Sequence, residues 1–231
     1  MPITIPHRVL IAPSGFKESL GAAELAQAIA AGTRRALPGA VIDAVPIVDG
    51  GEGSAADLAQ ATGGRLVRRP VTGPVGDVVE SHFAMLGGSL EGTAVVEMAA
   101  AAGLRLVPRD RRDPGATTTY GVGELISAAL DEGAHAIVVG CGDSGTSDGG
   151  AGLVQALGGR LLDEGGCELP PGGAALERLA SLDLSGLTSP ATPTTCSRDR
   201  GAWRGCSGPR RAPPRTRSSS CPGPWNAGRR S

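Results

Sequence analysis

The chain has 231 residues, of which 37 are glycine, and these show no three-residue period. The usual glycine level is about 7%, so collagen is excluded and closely packed loops are implied. Hydrophobic residues make up 40% and the formal net charge is -1, which excludes disorder of the whole chain. No apolar run approaches the roughly 18 residues of a membrane span, and the opening MPITIPHRVLIAP lacks the basic segment and cleavage site of a secretory leader. The expectation is a cytoplasmic protein with no membrane contact, long enough for a real core but short for two complete lobes.

Residues 7–13, HRVLIAP, form an apolar run stopped by Pro13, Ser14 and Gly15, and read as a buried strand entering a loop. A helix is expected from Ser19 as N-cap, with Leu25 and Ile29 on its apolar stripe and Leu37-Pro38-Gly39 as its stop. VIDAVPIVD (41–49) reads as a second strand, and DGGEGS (49–54) as a glycine loop opening a helix. This alternation predicts α/β architecture with a parallel sheet. Between Arg65 and Gly87, two extended runs around T-G-P-V-G read as a hairpin. TAVVEMA (93–99) then reads as a strand or its end, 117–133 as a helix preceded by possible caps, and AHAIVVG (134–140) as a buried strand. The last runs into CGDSGTSDGGAG and a further helix, GLVQALG.

The final 44 residues differ from everything before them. Residues 1–187 carry 13 basic and 22 acidic side chains (-9), whereas 188–231 carry 9 and 1 (+8), with no Leu, Ile, Val, Phe or Met. Such a segment buries too little apolar surface to offset its ordering entropy, so disorder is expected from residue 188. A basic arm binding nucleic acid non-specifically would match the charge, and Cys196, Cys206 and Cys221 would allow a disulfide module. A third reading is a frame slip in G+C-rich DNA: displaced by one nucleotide, codons for Cys206–Pro213 can encode V-F-G-P-Q-K-G-A.

Several loops hold residues suited to chemistry. Lys17 is the only lysine, against 21 arginines, and it follows a strand end beside Ser14, Gly15 and Ser19, a setting compatible with an anion. Asp49 and Glu52 sit on a glycine turn where backbone can approach a ligand while two carboxylates stay available for a metal or a hydroxyl proton. Asp143, Ser144, Thr146, Ser147 and Asp148 repeat that combination after another strand. Ligands of open α/β sheets bind at the carboxyl ends of strands, so both loops are expected to face one crevice. Thr117, Thr118 and Thr119 precede a helix and could bind an anion or simply cap. No P-loop or zinc signature occurs.

Six blocks, PSGFKESL, VPIVDGGEGS, TAVVEMAAAAGL, DPGATTTYGVGELI, GCGDSGTSDGGAGLVQALG and LPPGGAALERL, resemble in order and spacing the type I glycerate kinases. That family also has a G-P-Q-K-G-A segment further on, the string recovered by the displaced frame. The resemblance implies ATP-dependent phosphorylation of D-glycerate with Mg2+, on a Rossmann-like parallel-sheet lobe plus a mixed α/β lobe, incomplete here at the C-terminus. Residues 1–64 would begin the first lobe, 65–187 would form the second, and 188–231 would be an out-of-frame tail. It also implies Lys17 for anion stabilisation, Asp49 or Asp148 as acceptor of the glycerate proton, and the other acid with Glu52 on the metal. Ser14, Thr117, Thr118, Ser144 and Thr146 would contact phosphate or substrate carboxylate. The family usually has G-G-S-A-T-N-D-G-G where this chain has G-D-S-G-T-S-D-G-G (142–150), so Asp143 adds negative charge near the phosphates. The rival expectation is a non-catalytic product holding nucleic acid through its basic tail.

Overall fold

Strand β1 (Arg8–Ile11), helix α1 (Ala22–Ala36) and strand β2 (Val41–Ala44) form a β-α-β unit, with the strands parallel and Arg8 opposite Val41. The structure, a computed structural model, describes residues 7–16, 19–47 and 49–187. Alternation along the strands sends Val9, Ile11 and Ile42 toward α1, where they meet Ala26 and Ala30. The helix departs from expectation in two ways. Its N-cap is Gly21 rather than Ser19, which lies in the turn closed by its N–H on the Phe16 carbonyl. Its buried positions are the alanines, while Ile29 is exposed, because the small side chains let the helix lie close on a two-stranded surface.

Helix α2 (Ser54–Thr62) leads into strands β3 (Arg65–Thr72) and β4 (Val78–Met85), the expected hairpin, closed by the Gly73 N–H on the Asp77 carbonyl. Strand β5 (Thr93–Glu97) pairs antiparallel with β4 and parallel with β6 (Ala136–Gly140), giving the order β3-β4-β5-β6. Helices α3 (Met98–Ala102) and α4 (Tyr120–Asp131) cover one face, burying Val67, Phe83, Val96 and Leu125. On the other face α2 buries Ala55 and Ala59 against Ala84, Leu86 and Val95, so residues 54–62 pack with this sheet. Helix α5 (Ala151–Ala156) docks on α4, and β7 (Arg160–Leu162) pairs antiparallel with β8 (Ser181–Asp183). The fold is mixed α/β, with one parallel pair and one mixed sheet.

Residues 134–140 depart from the buried strand expected of them. Ile137 packs on the main core, but Val138 is 51% exposed, on the face where α2 covers β3 to β5 and stops short of β6. Among the described residues β6 has a strand on one side only. The tail from 188 lies outside the described residues, and so do the three readings of it.

Candidate functional site

Strands β1 and β2 run parallel, as do β5 and β6, so Ser14, Asp49, the end of β5 and Cys141 each follow a strand's carboxyl end. The two glycine loops meet there. The Gly142 N–H donates to the Gly50 carbonyl (3.0 Å), and the Glu52 N–H donates to Asp143 Oδ2 (3.1 Å). A β-carbon on Gly142 would lie 2.5 Å from the Gly51 α-carbon, so the backbones touch at a distance only glycine permits. A third segment joins them: the Leu104 N–H donates to the Asp143 carbonyl (3.0 Å), and Arg105 pairs with Glu52 at 2.6 Å.

Asp49 is exposed, and its Oδ1 accepts the Gly51 N–H at 2.9 Å. A β-carbon built on Gly51 would stand 3.0 Å from that oxygen and 2.5 Å from Asp143 Oδ2, so two carboxylates flank one glycine. Asp143 is the one non-glycine residue with positive φ (56°) among those described. That backbone favours glycine, the residue usual in the related motif, and aspartate is among the side chains that tolerate it best. Ser144 and Thr146 place their hydroxyls 3.0 Å apart in the same loop, half-buried. Ser14 is exposed beyond β1, and Lys17 lies outside the described residues.

Asp148 lies beneath the loop surface. It is 1% exposed, and its oxygens accept the N–H groups of Thr119 (2.8 Å), Gly152 (3.0 Å) and Gly150 (3.2 Å) and the Thr119 hydroxyl (2.9 Å). These bonds fasten the N-termini of α4 and α5 to each other. Thr118 is buried, and its hydroxyl accepts the Tyr120 N–H at 3.2 Å. Thr117 is buried with its hydroxyl lacking a partner in the structure. Among the described residues no group of three or more potential metal ligands occurs, and Glu52 is exposed and paired with Arg105.

Glu97 escaped the sequence reading. Alternation on β5 places it with Val95 on the α2 face, where it is 1% exposed and accepts the N–H groups of Ala55 and, at 3.3 Å, Gly53. It thereby anchors the Asp49 loop from beneath while meeting the positive end of α2. Burial raises its carboxyl above the ordinary value, against the Ala55 and Gly53 N–H groups and His82, which favour ionisation. An acidic residue closing the run Val95-Val96 at the period of the buried face was the available signal.

An α/β chain whose glycine-rich, acid-bearing loops lock together at the carboxyl ends of parallel strands belongs to the class that binds ligands at that edge of the sheet. A match to the Glycerate kinase family covers residues 9–197, and the chain belongs to that family. It is 55% identical over 182 residues to the glycerate kinase of Bacillus subtilis (strain 168), covering 79% of this chain and 47% of that protein. To the glycerate 2-kinase of Escherichia coli (strain K12) it is 48% identical over 180 residues, covering 78% and 47%. A solved chain from Salmonella typhimurium LT2, described as a glycerate kinase 2, superposes with a TM-score of 0.61 at 48% identity, covering 79% of this chain and 48% of that one. The chain thus spans about half the length of the relatives it matches.

Proposed function

We propose that residues 7–187 supply one wall of a crevice in which ATP phosphorylates D-glycerate. The interlocked loops carry this reading: the Gly142–Gly50 bond brings Asp49, Asp143, Ser144 and Thr146 to one place at the strand ends. Phosphoryl transfer asks mainly for alignment and charge neutralisation, which fixed loops provide.

Exposed Asp49 is assigned to the glycerate hydroxyl proton, and Lys17 to the anionic charge of the phosphates. Ser144 and Thr146 are assigned to phosphate or substrate carboxylate. Glu97 and Asp148 act as positioning residues, each holding helix N-termini under a loop. Magnesium commonly uses one or two carboxylates together with phosphate oxygens. Asp143, beside Gly51, would supply such a carboxylate, and Mg2+ held there would neutralise phosphate charge. In this reading the first lobe begins with the β1-α1-β2 unit, and the second is built on the four-stranded sheet.

The test joins residues 1–187 to the part of the Bacillus subtilis relative that this chain does not span, and measures ADP release with ATP, Mg2+ and D-glycerate. Turnover is expected, and Asp49→Asn should lower kcat about 100-fold with circular dichroism unchanged. A folded chimaera that binds neither ATP nor glycerate overturns the proposal.

A further inference from the structure

Every N–H from Gly50 to Ala55, in the turn that opens α2, has an acceptor. Gly50 donates to the Ser54 hydroxyl, Ser54 to the Gly51 carbonyl and Gly51 to Asp49 Oδ1, all within the turn. Gly53 and Ala55 donate to buried Glu97. Glu52 alone donates to another surface loop, at 3.1 Å to Asp143 Oδ2. The N–H groups of Gly51, Glu52, Gly53 and Ala55 thus end on carboxylates, so the turn favours negative charge. Of those acceptors only Asp143 is neither part of the turn nor buried. It stands at a φ of 56°, where glycine is the unstrained choice. Its carboxylate also crowds Asp49 and Glu52, and the one ion pair those three acids make among the described residues is Glu52 with Arg105.

We infer that Asp143 is a specificity-determining residue: it makes anion binding at these loops conditional on a divalent cation. The inference rests on the assignment of the loops to phosphate or substrate carboxylate. The Asp143 carboxylate fills the place an incoming anion needs, taking the Glu52 N–H and lying 2.5 Å from where a β-carbon on Gly51 would stand. Phosphate alone has to displace that carboxylate and approach two more of the same sign. With Mg2+ beside the phosphate, Asp143 turns from competitor to partner and releases the Glu52 N–H to a phosphate oxygen. The loops stay together during this exchange. Gly142 still donates to the Gly50 carbonyl and Leu104 to the Asp143 carbonyl, and both are backbone bonds that Asp143→Gly keeps.

The test titrates inorganic phosphate into the isotope-labelled 231-residue protein, with and without Mg2+, and follows the Glu52 amide signal by NMR. For the wild type, Mg2+ should tighten phosphate binding about tenfold or more. Asp143→Gly should bind phosphate alone about tenfold more tightly than the wild type and gain less than about twofold from Mg2+. Asp143→Asn keeps an oxygen for the Glu52 N–H without the charge, and should likewise lose the response to Mg2+. The inference is overturned by a wild type indifferent to Mg2+, by an Asp143→Gly protein that binds phosphate no more tightly, or by a Glu52 signal unmoved in every protein. ADP release by the chimaera separates this from the kinase reading. Turnover with any of those three results leaves the kinase reading standing without this role for Asp143. The expected phosphate shifts without turnover overturn the kinase reading and leave Asp143 as the residue that gates anions.

Discussion

The β1-α1-β2 unit and the four-stranded sheet use the same alternation of strand and helix and bury it to different degrees. In the sheet, α3 and α4 cover one face and α2 the other, so Phe83 and Val96 on one side and Ala84 and Val95 on the other are all removed from solvent. In the first unit one helix covers one face, and the closed core is Ile11 with two alanines. Burial at roughly 25 cal/mol per Å2 therefore stabilises the sheet strongly and the first unit weakly. The contrast separates a sheet covered by helices on both faces, β6 excepted, from a unit covered on one face only.

The largest test of that contrast pairs two substitutions in the 231-residue protein. Phe83→Ala empties a fully buried site and should cost about 3–5 kcal/mol in urea unfolding. Leu10→Ala should change stability by less than about 0.5 kcal/mol, because that side chain is already mostly in water. A Leu10→Ala cost comparable to that of Phe83→Ala would mean that the first unit is covered in solution.

Asp148 sharpens the comparison inside the well-covered region. Asp148→Ala leaves the N–H groups of Thr119, Gly150 and Gly152 without their acceptor in a buried setting, and should cost about 3 kcal/mol. Amide exchange should rise at the starts of α4 and α5 and stay unchanged in β1 and β2. Were Asp148 instead a free acid at the crevice, stability would hold and only turnover would fall.

Local pattern exposed the strands and loops to sequence reading, and tertiary context decided the rest. The hairpin around T-G-P-V-G and the meeting of the two glycine loops were legible because turn residues and strand ends are local signals. Asp148 looked like a free acid because a carboxylate in a glycine loop has the same sequence signature whether it faces solvent or caps two helices. Leu25 and Ile29 suggested a wide helix stripe, and the narrow partner sheet selected Ala26 and Ala30 instead. Val138 read as buried because its composition is that of a covered strand, whereas α2 stops short of β6 and leaves it 51% exposed.

The smallest expected effect concerns Glu97 and its pH dependence. Its carboxyl is raised above the unfolded value of 4.5 chiefly by burial, so the native state holds its proton over a range where the unfolded state has released it. The stabilising contribution is then fully present below about pH 4.5 and is lost as pH rises through the folded value. Asp43 and Glu132 work in the opposite sense: hydrogen bonds from Arg8 and Arg65 lower them, so their contribution appears above the unfolded value and fades as pH falls. A plain stability curve mixes these slopes, and the difference between wild type and Glu97→Gln isolates one of them. Glutamine keeps the shape and cannot titrate, so the wild-type urea midpoint should fall relative to the variant as pH is raised from 4 toward 7. Parallel curves would show that Glu97 titrates alike in both states, and hence that the Asp49 loop leaves it open to water. A difference of opposite sign would mean that the Ala55 and Gly53 N–H groups outweigh burial, making the ionised carboxylate the form that holds the loop.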